Sequence, residues 1–245
     1  MFFFSKKSTT PPDYSILKTD IHSHLLPGID DGAPDIDTSL VLIKGLQDLG
    51  FQRLYTTPHV MAGMYPNTPE IISERLSMVR ASLSGTELEM PFDAAAEYFL
   101  DDHMEATIQA DHSFLTLPGR YLLCEFSMLT PTMGLKRMIF DLQMKGYRVI
   151  IAHPERYVYL QSNKTFYDDL KDMGCDFQLN ILSLGIHYGK VVQSLAQYLI
   201  KQGYYDFAAT DLHHTRHLEM LRDPKIGEGL KMLMDGCQIR NTEIG

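Results

Sequence analysis

No run of eighteen or more apolar residues occurs in the 245-residue sequence, so it offers no segment of the length a membrane-spanning helix needs. The opening Met1-Phe2-Phe3-Phe4 is too short and wrongly flanked to act as a secretory apolar region. Cysteine is scarce. Cys124, Cys175 and Cys237 are odd in number and far apart, which suggests neither a disulfide framework nor a zinc ribbon and fits a reducing compartment. A cytoplasmic location is the expectation. Positive charge is also short: 22 Lys and Arg against 31 Asp and Glu give a formal charge of −9. Affinity for a phosphate backbone needs clustered Lys and Arg, so no nucleic-acid partner is expected. Residues 1–14 read as a flexible N-terminal extension, and Lys6 and Lys7 behind the three phenylalanines leave room only for peripheral contact with a membrane or partner.

What is present is a pattern of alternation. The length and an apolar content of 44% suit one sizeable core, and no low-complexity linker, charge block or close repeat divides the chain, so residues 1–245 are read as one domain. Ile36, Leu40, Ile43, Leu46 and Leu49 recur at helical spacing, and Gly50 follows where a C-terminal cap belongs. Comparable patterns predict helices over 69–83, 134–145, 165–173 and 189–202, the last closed by Gly203. Between them lie short strand candidates: Ile16–Ile21, Arg53–Thr57, Phe92–Ala96, Tyr121–Cys124, Arg148–Ala152, Phe177–Leu179 and Phe207–Thr210. About seven strands alternating with helices predict an α/β fold, a distorted (β/α)7 barrel, with an open doubly wound sheet as the competing arrangement.

Each proposed strand but one is followed by a residue able to ligate metal: His22 and His24, then His59, Glu97, Glu125, His153, and finally Asp211 and His213. Taken singly these are weak signals, since a lone His-x-His is usually polar surface and a lone carboxylate is usually solvated. Their joint placement is not weak. Active sites of barrels and open sheets form at the carboxyl ends of strands, so residues distant in sequence converge there, and a site with several metals follows.

The stretch Asp20-Ile21-His22-Ser23-His24 through Ile29-Asp30-Asp31-Gly32-Ala33 is followed by Thr57-Pro58-His59, Ala96-Glu97-Tyr98, Cys124-Glu125-Phe126, His153-Pro154-Glu155-Arg156 and Thr210-Asp211-Leu212-His213. In order and spacing, over about residues 16–220, this resembles the CpsB/CapC-like capsular and exopolysaccharide tyrosine phosphatases of the PHP (polymerase and histidinol phosphatase) superfamily. The resemblance implies a TIM-like barrel holding three divalent metals, Mn2+ first, with Fe, Co or Zn as alternatives. It places His22, His24, Glu97, Glu125 and Asp211 around one or two metals with Glu97 as a bridge. Glu125 and His153 would complete the second metal, and Asp31, His59 and His213 would hold the third. Arg156 matches a phosphate-binding arginine, and Arg216 is the nearest candidate for a second. The chain departs from the family pattern in following the last motif with His214, which like His217 reads as a surface residue.

The implied activity is hydrolysis of phosphotyrosine by metal-activated hydroxide, on a bacterial tyrosine autokinase that regulates polysaccharide synthesis. Four carboxylates and three divalent ions would leave about +2 in the pocket, so an acidic protein can still attract phosphate. The thiol route to such chemistry needs Arg six positions after Cys, but Thr130, Ile181 and Glu243 stand there. Two other readings stay open at this level: a small-molecule phosphomonoesterase of the histidinol-phosphatase type, and a metal-stabilised interaction module without turnover.

Overall fold

The computed structural model describes residues 11–110, 112–130 and 132–244. Along the chain run β1 (Thr19–Asp20), α1 (Ile36–Asp48), β2 (Arg53–Thr56), β3 (His59–Val60), α2 (Pro69–Leu83), β4 (Phe92–Ala94), β5 (Glu97–Phe99) and α3 (Asp102–Gln109). There follow β6 (Tyr121–Glu125), α4 (Leu135–Met144), β7 (Arg148–Ala152), α5 (Thr165–Asp172), β8 (Asp176–Asn180), α6 (Lys190–Lys201), β9 (Phe207–Ala209), α7 (Thr215–Leu221) and α8 (Pro224–Gly236). Local chemistry sets the helix starts: Asp35 caps α1 by accepting from Thr38 N, and Thr68 caps α2 ahead of Pro69 in its first turn.

All ladders between these strands are parallel, in the orders β1-β2-β4 and β3-β5-β6-β7-β8-β9. β2 and β3 are two halves of one strand parted at Thr57-Pro58, where proline has no N–H to give, and β4 and β5 are halves parted at Ala95-Ala96. Across the break, Ala95 N still donates to Thr56 O at 2.9 Å and Glu97 N to Pro58 O at 3.1 Å. Seven strand positions result, as the alternation predicted. The circle is completed by a seam and not by a ladder: Ser23 bridges Leu212, His24 N donates to Leu212 O at 2.9 Å, and Asp211 N to His22 O at 2.8 Å.

Two apolar layers follow from the strand period of two. Ile21, Tyr55, Ala95, Leu123, Ile150, Ala152, Phe207 and Ala209 fill the barrel interior, while Leu122, Cys124, Val149, Ile151 and Leu179 face the helices. Glu97 and Glu125 lie two residues beyond the inward Ala95 and Leu123, so the pleat carries both carboxylates to the interior at its carboxyl end.

Several expectations change. The strand predicted over Ile16–Ile21 is only Thr19–Asp20, since Lys18 takes φ +59° and breaks the extended run. The predicted extension over residues 1–14 falls largely, with Phe2–Phe4, Lys6 and Lys7, outside the described residues. Its last residue is not flexible: Tyr14 is wholly buried, stacks on Phe51 and donates to Leu221 O at 2.7 Å. Among the described residues no helix is long and apolar enough to cross a membrane.

Asp20 holds the seam. It is buried, and its two oxygens accept from Thr210 N at 2.9 Å and Thr210 Oγ1 at 2.7 Å. Asp20→Ala would leave two buried donors unpaired, at about 1–3 kcal/mol each. The unfolding free energy from denaturant titration is therefore expected to fall by about 2–6 kcal/mol, and an unchanged value would show that the seam does not depend on this contact.

Candidate metal centre

The predicted ligands converge at the carboxyl end of the barrel. Glu97, fully buried, is their hub: its Oε2 lies 3.1 Å from His22 Nε2, 3.1 Å from His59 Nδ1 and 3.5 Å from His24 Nε2, and its Oε1 lies 3.1 Å from His153 Nε2. Asp211 Oδ1 stands 3.3 Å from His22 Nε2, 3.4 Å from His24 Nε2 and 3.5 Å from His213 Nδ1. Glu125 Oε1 is 3.2 Å from His59 Nδ1. At the mouth, Asp31 Oδ1 sits 3.4 Å from both His59 Nε2 and His213 Nε2.

The outer partners of the imidazoles decide which nitrogens face inward. His22 Nδ1 meets Gln178 Oε1 at 2.9 Å, and that amide is pinned because its nitrogen donates to Leu179 O at 2.7 Å. His24 Nδ1 meets Asp30 Oδ2 and His213 Nδ1 meets the carbonyl of Asp211, both at 2.8 Å. These oxygens accept only, so each Nδ1 carries the proton and each Nε2 turns a lone pair to the centre. Glu97 Oε2 and His59 Nδ1, although close, are buried without a well-directed hydrogen bond. Lone pairs aimed at one another at this depth repel unless protons or cations lie between them. The donor set therefore fits divalent cations, in four overlapping groups: His24–Asp31–His59–His213, His22–His24–Asp211, His22–Glu97–His153 and His59–Glu97–Glu125.

Electrostatics agree. Burial pushes the Glu97 and Asp211 carboxyls upward, but His22 beside both, with His59 for Glu97 and His213 for Asp211, reverses this and holds each well below its ordinary value. Burial opposes charge on His22, yet Glu97 and Asp211 raise its pKa overall. The neighbouring carboxylates likewise raise His24 and His59, so these three imidazoles hold protons more firmly than free ones, and bound cations would replace those protons.

The grouping differs from the expected partition: Glu125 clusters with His59 and Glu97 while His153 clusters with His22 and Glu97, and His24 joins Asp31, His59 and His213. Two candidate ligands lie where the chain ends a strand in a left-handed conformation, His153 at φ +36° and Asp211 at φ +49°, a strain typical of functional sites.

Arg156 reaches Asp211 Oδ2 with Nη1 at 2.8 Å and covers the Tyr188 ring at 4.6 Å. The adjacent carboxylate, Glu155, is turned away and buried, accepting from Asn180 N and Tyr205 OH. Arg216 is exposed in the first turn of α7 and is not drawn into this cluster. His214 is exposed, but His217 is half-buried: its Nδ1 accepts from His213 N at 3.4 Å, and burial with the neighbouring His214 pushes its pKa down to about 4. Sequence reading missed the outer residues Asp30, Gln178 and Asn180. The thiols are buried, and burial raises Cys124 well above its ordinary value and Cys175 to about 12, so neither supplies a thiolate. A cavity of about 460 Å³, lined among others by Val60, Asn67, Tyr98, Phe99 and Phe114, includes none of the candidate ligands.

Residues 18–239 match the family model described as capsular polysaccharide synthesis, CpsB/CapC. The chain belongs to that family. Its relatives include the tyrosine-protein phosphatase YwqE of Bacillus subtilis, 28% identical over 198 residues (80% of this chain, 78% of the relative), and the tyrosine-protein phosphatase CpsB of Streptococcus pneumoniae, 29% identical over 202 residues (80% and 82%). A solved structure from work on these two proteins, described as unique metal-dependent tyrosine phosphatases, aligns with TM-score 0.75 and 25% identity over 91% of this chain and 96% of its own. A histidinol phosphate phosphatase from Lactococcus lactis shares the fold alone, at TM-score 0.52 and 12% identity over 90% of this chain and 94% of its own.

Proposed function

We propose that this family member is a metal-dependent protein-tyrosine phosphatase acting in capsular or exopolysaccharide synthesis. The observation that supports it most is the convergence of His22, His24, Asp31, His59, Glu97, Glu125, His153, Asp211 and His213 into overlapping donor groups beside one arginine. In this reading His24, Asp31, His59 and His213 would hold one divalent ion, Mn2+ first, and His22, His24, Glu97, Glu125, His153 and Asp211 would hold two more. Bound divalent ions supply Lewis acidity and lower the pKa of water from about 15.7 towards 7.

The chain's own groups supply the rest. Gln178, Asp30 and the Asp211 carbonyl fix the tautomers of His22, His24 and His213, so three lone pairs stay aimed inward before substrate arrives. Arg156 gives one N–H to Asp211 and keeps others for the equatorial oxygens of a phosphoryl group, whose charge it stabilises in transfer. Arg216 is the candidate second phosphate contact. The leaving phenolate, with a conjugate-acid pKa of about 10, departs with little need of a general acid. The substrate in this reading is a phosphotyrosine protein, a tyrosine autokinase in the cytoplasm, and any membrane association is peripheral and comes through that kinase.

A chelator is expected to abolish hydrolysis of a phosphotyrosine peptide and Mn2+ to restore it. Replacing Cys124, Cys175 and Cys237 by Ser should leave turnover, because none is a nucleophile. A folded, metal-replete triple-Ser protein without activity would overturn the mechanism. Faster hydrolysis of histidinol phosphate than of the phosphotyrosine peptide would move the substrate to small phosphomonoesters.

A further inference from the structure

Two consecutive carboxylates in the segment 25–33 perform different tasks. This segment leaves the end of β1 and folds back on it: Ala33 N donates to His24 O at 3.1 Å and Gly28 N to Ala33 O at 2.8 Å. The return is so close that a Cβ at Gly32 would lie 2.2 Å from His24 O. Asp31 presents its carboxylate at the mouth, 52% exposed, facing His59 and His213. Asp30 points the other way, its side chain wholly buried. Asp30 Oδ2 accepts from His24 Nδ1 at 2.8 Å and from the His59 backbone N at 3.2 Å, and Oδ1 accepts from Gly32 N at 3.0 Å. From outside, Asn67 in the connection between β3 and α2 donates through Nδ2 to Ile29 O at 2.9 Å and His59 O at 2.8 Å.

One buried carboxylate and one half-buried carboxamide thus join the Asp31 loop to the strand that carries His59. We propose that Asp30 and Asn67 are positioning residues that set above all the affinity of the cation held by His24, Asp31, His59 and His213, while the cations around Glu97, whose donor groups share His24 and His59 but not Asp31, depend on them less. This rests on the metal-centre reading above. The physical reason is that Asp31 is otherwise an exposed ligand on a loop, whereas Glu97, Glu125 and Asp211 are set by strands or the barrel seam. Without the staple, the loop must lose its conformational entropy at the moment the cation binds.

The test is Mn2+ titration of the chelator-stripped protein by calorimetry, with bound metal counted after dialysis. The parent should take up several equivalents. Asn67→Ala, at a half-buried surface position, should fold as the parent does and bind one equivalent about 10–100-fold more weakly, the usual scale for outer-layer partners of a metal site. Asp30→Asn keeps the size of the side chain but sets an amide against a backbone or imidazole donor, so it should weaken the same equivalent at least as much. Parental affinity for every equivalent in folded Asn67→Ala would overturn the staple, and so would a uniform loss of all equivalents. A parent that binds no Mn2+ would instead overturn the metal-centre reading, and the staple with it.

Discussion

Replacing Glu97 with Gln is expected to lower the catalytic efficiency towards a phosphotyrosine peptide roughly a thousandfold, equivalent to about 4 kcal/mol of transition-state stabilisation. The size follows from position. Glu97 is the one carboxylate that meets His22, His24, His59 and His153, and two of the four donor groups contain it. Gln has nearly the same volume, so the barrel should fold, but it removes a negative charge and turns an NH2 toward imidazole nitrogens or cations. The purified variant should therefore lose metal as well as rate, by mass-spectrometric metal analysis beside steady-state kinetics. A Glu97→Gln protein that kept parental metal content and a rate within tenfold of the parent would remove Glu97 from the shared position.

Much of the barrel can be read from the sequence because its strands are short, β-rich and separated by helices with a clear apolar stripe. α1, α2, α4, α5 and α6 lie within a residue or so of their predicted limits. The helices α3, α7 and α8 were not legible. α3 buries only Met104 and Ile108 among polar neighbours, and α8 contains Gly227 and Gly229, weak helix formers whose presence is explained by packing: a Cβ at Gly229 would lie 2.7 Å from Leu184 Cβ. The split strands could have been suspected from Pro58. The two breaks lie side by side, since β2 pairs with β4 and β3 with β5.

The inner candidate ligands were legible for a related reason. Strand ends in a barrel share one face, so residue type and place in the alternation suffice to bring His59, Glu97, Glu125 and His153 together. Asp30, Gln178 and Asn180 carried no such signal. Asp30 stands beside Asp31, and only the fold of the Gly32 turn separates a buried hydrogen-bond acceptor from an exposed candidate ligand. Gln178 and Asn180 alternate on β8 as ordinary buried amides. Their roles depend on the atoms opposite, His22 and Asp211, more than 30 residues away in sequence.

Arg156→Ala is expected to cost about 2–4 kcal/mol in the transition state for phosphotyrosine hydrolysis, roughly thirty-fold to nearly a thousandfold in rate, while metal content stays at the parental level. The separation of the two readouts comes from how Asp211 is held. Its Oδ2 accepts from Arg156 Nη1 and also from Asn180 Nδ2, each at 2.8 Å, and Asn180 is itself fixed through Leu182 N and Tyr188 OH. Losing the arginine therefore leaves Asp211 anchored and its Oδ1 still facing His22 and His24. Arg156→Lys retains a charge but lacks the planar fork that can grip Asp211 and a phosphoryl oxygen together, and an ammonium lies less well on the Tyr188 ring. It should bind metal normally and recover only part of the rate. Arg156 is 27% exposed, enough for its remaining N–H groups to reach a ligand at the mouth. Loss of metal from folded Arg156→Ala would make the arginine a structural partner of Asp211. Full metal and undiminished hydrolysis would place the phosphate clamp elsewhere, and Arg216 in the first turn of α7 would be the side chain to replace next.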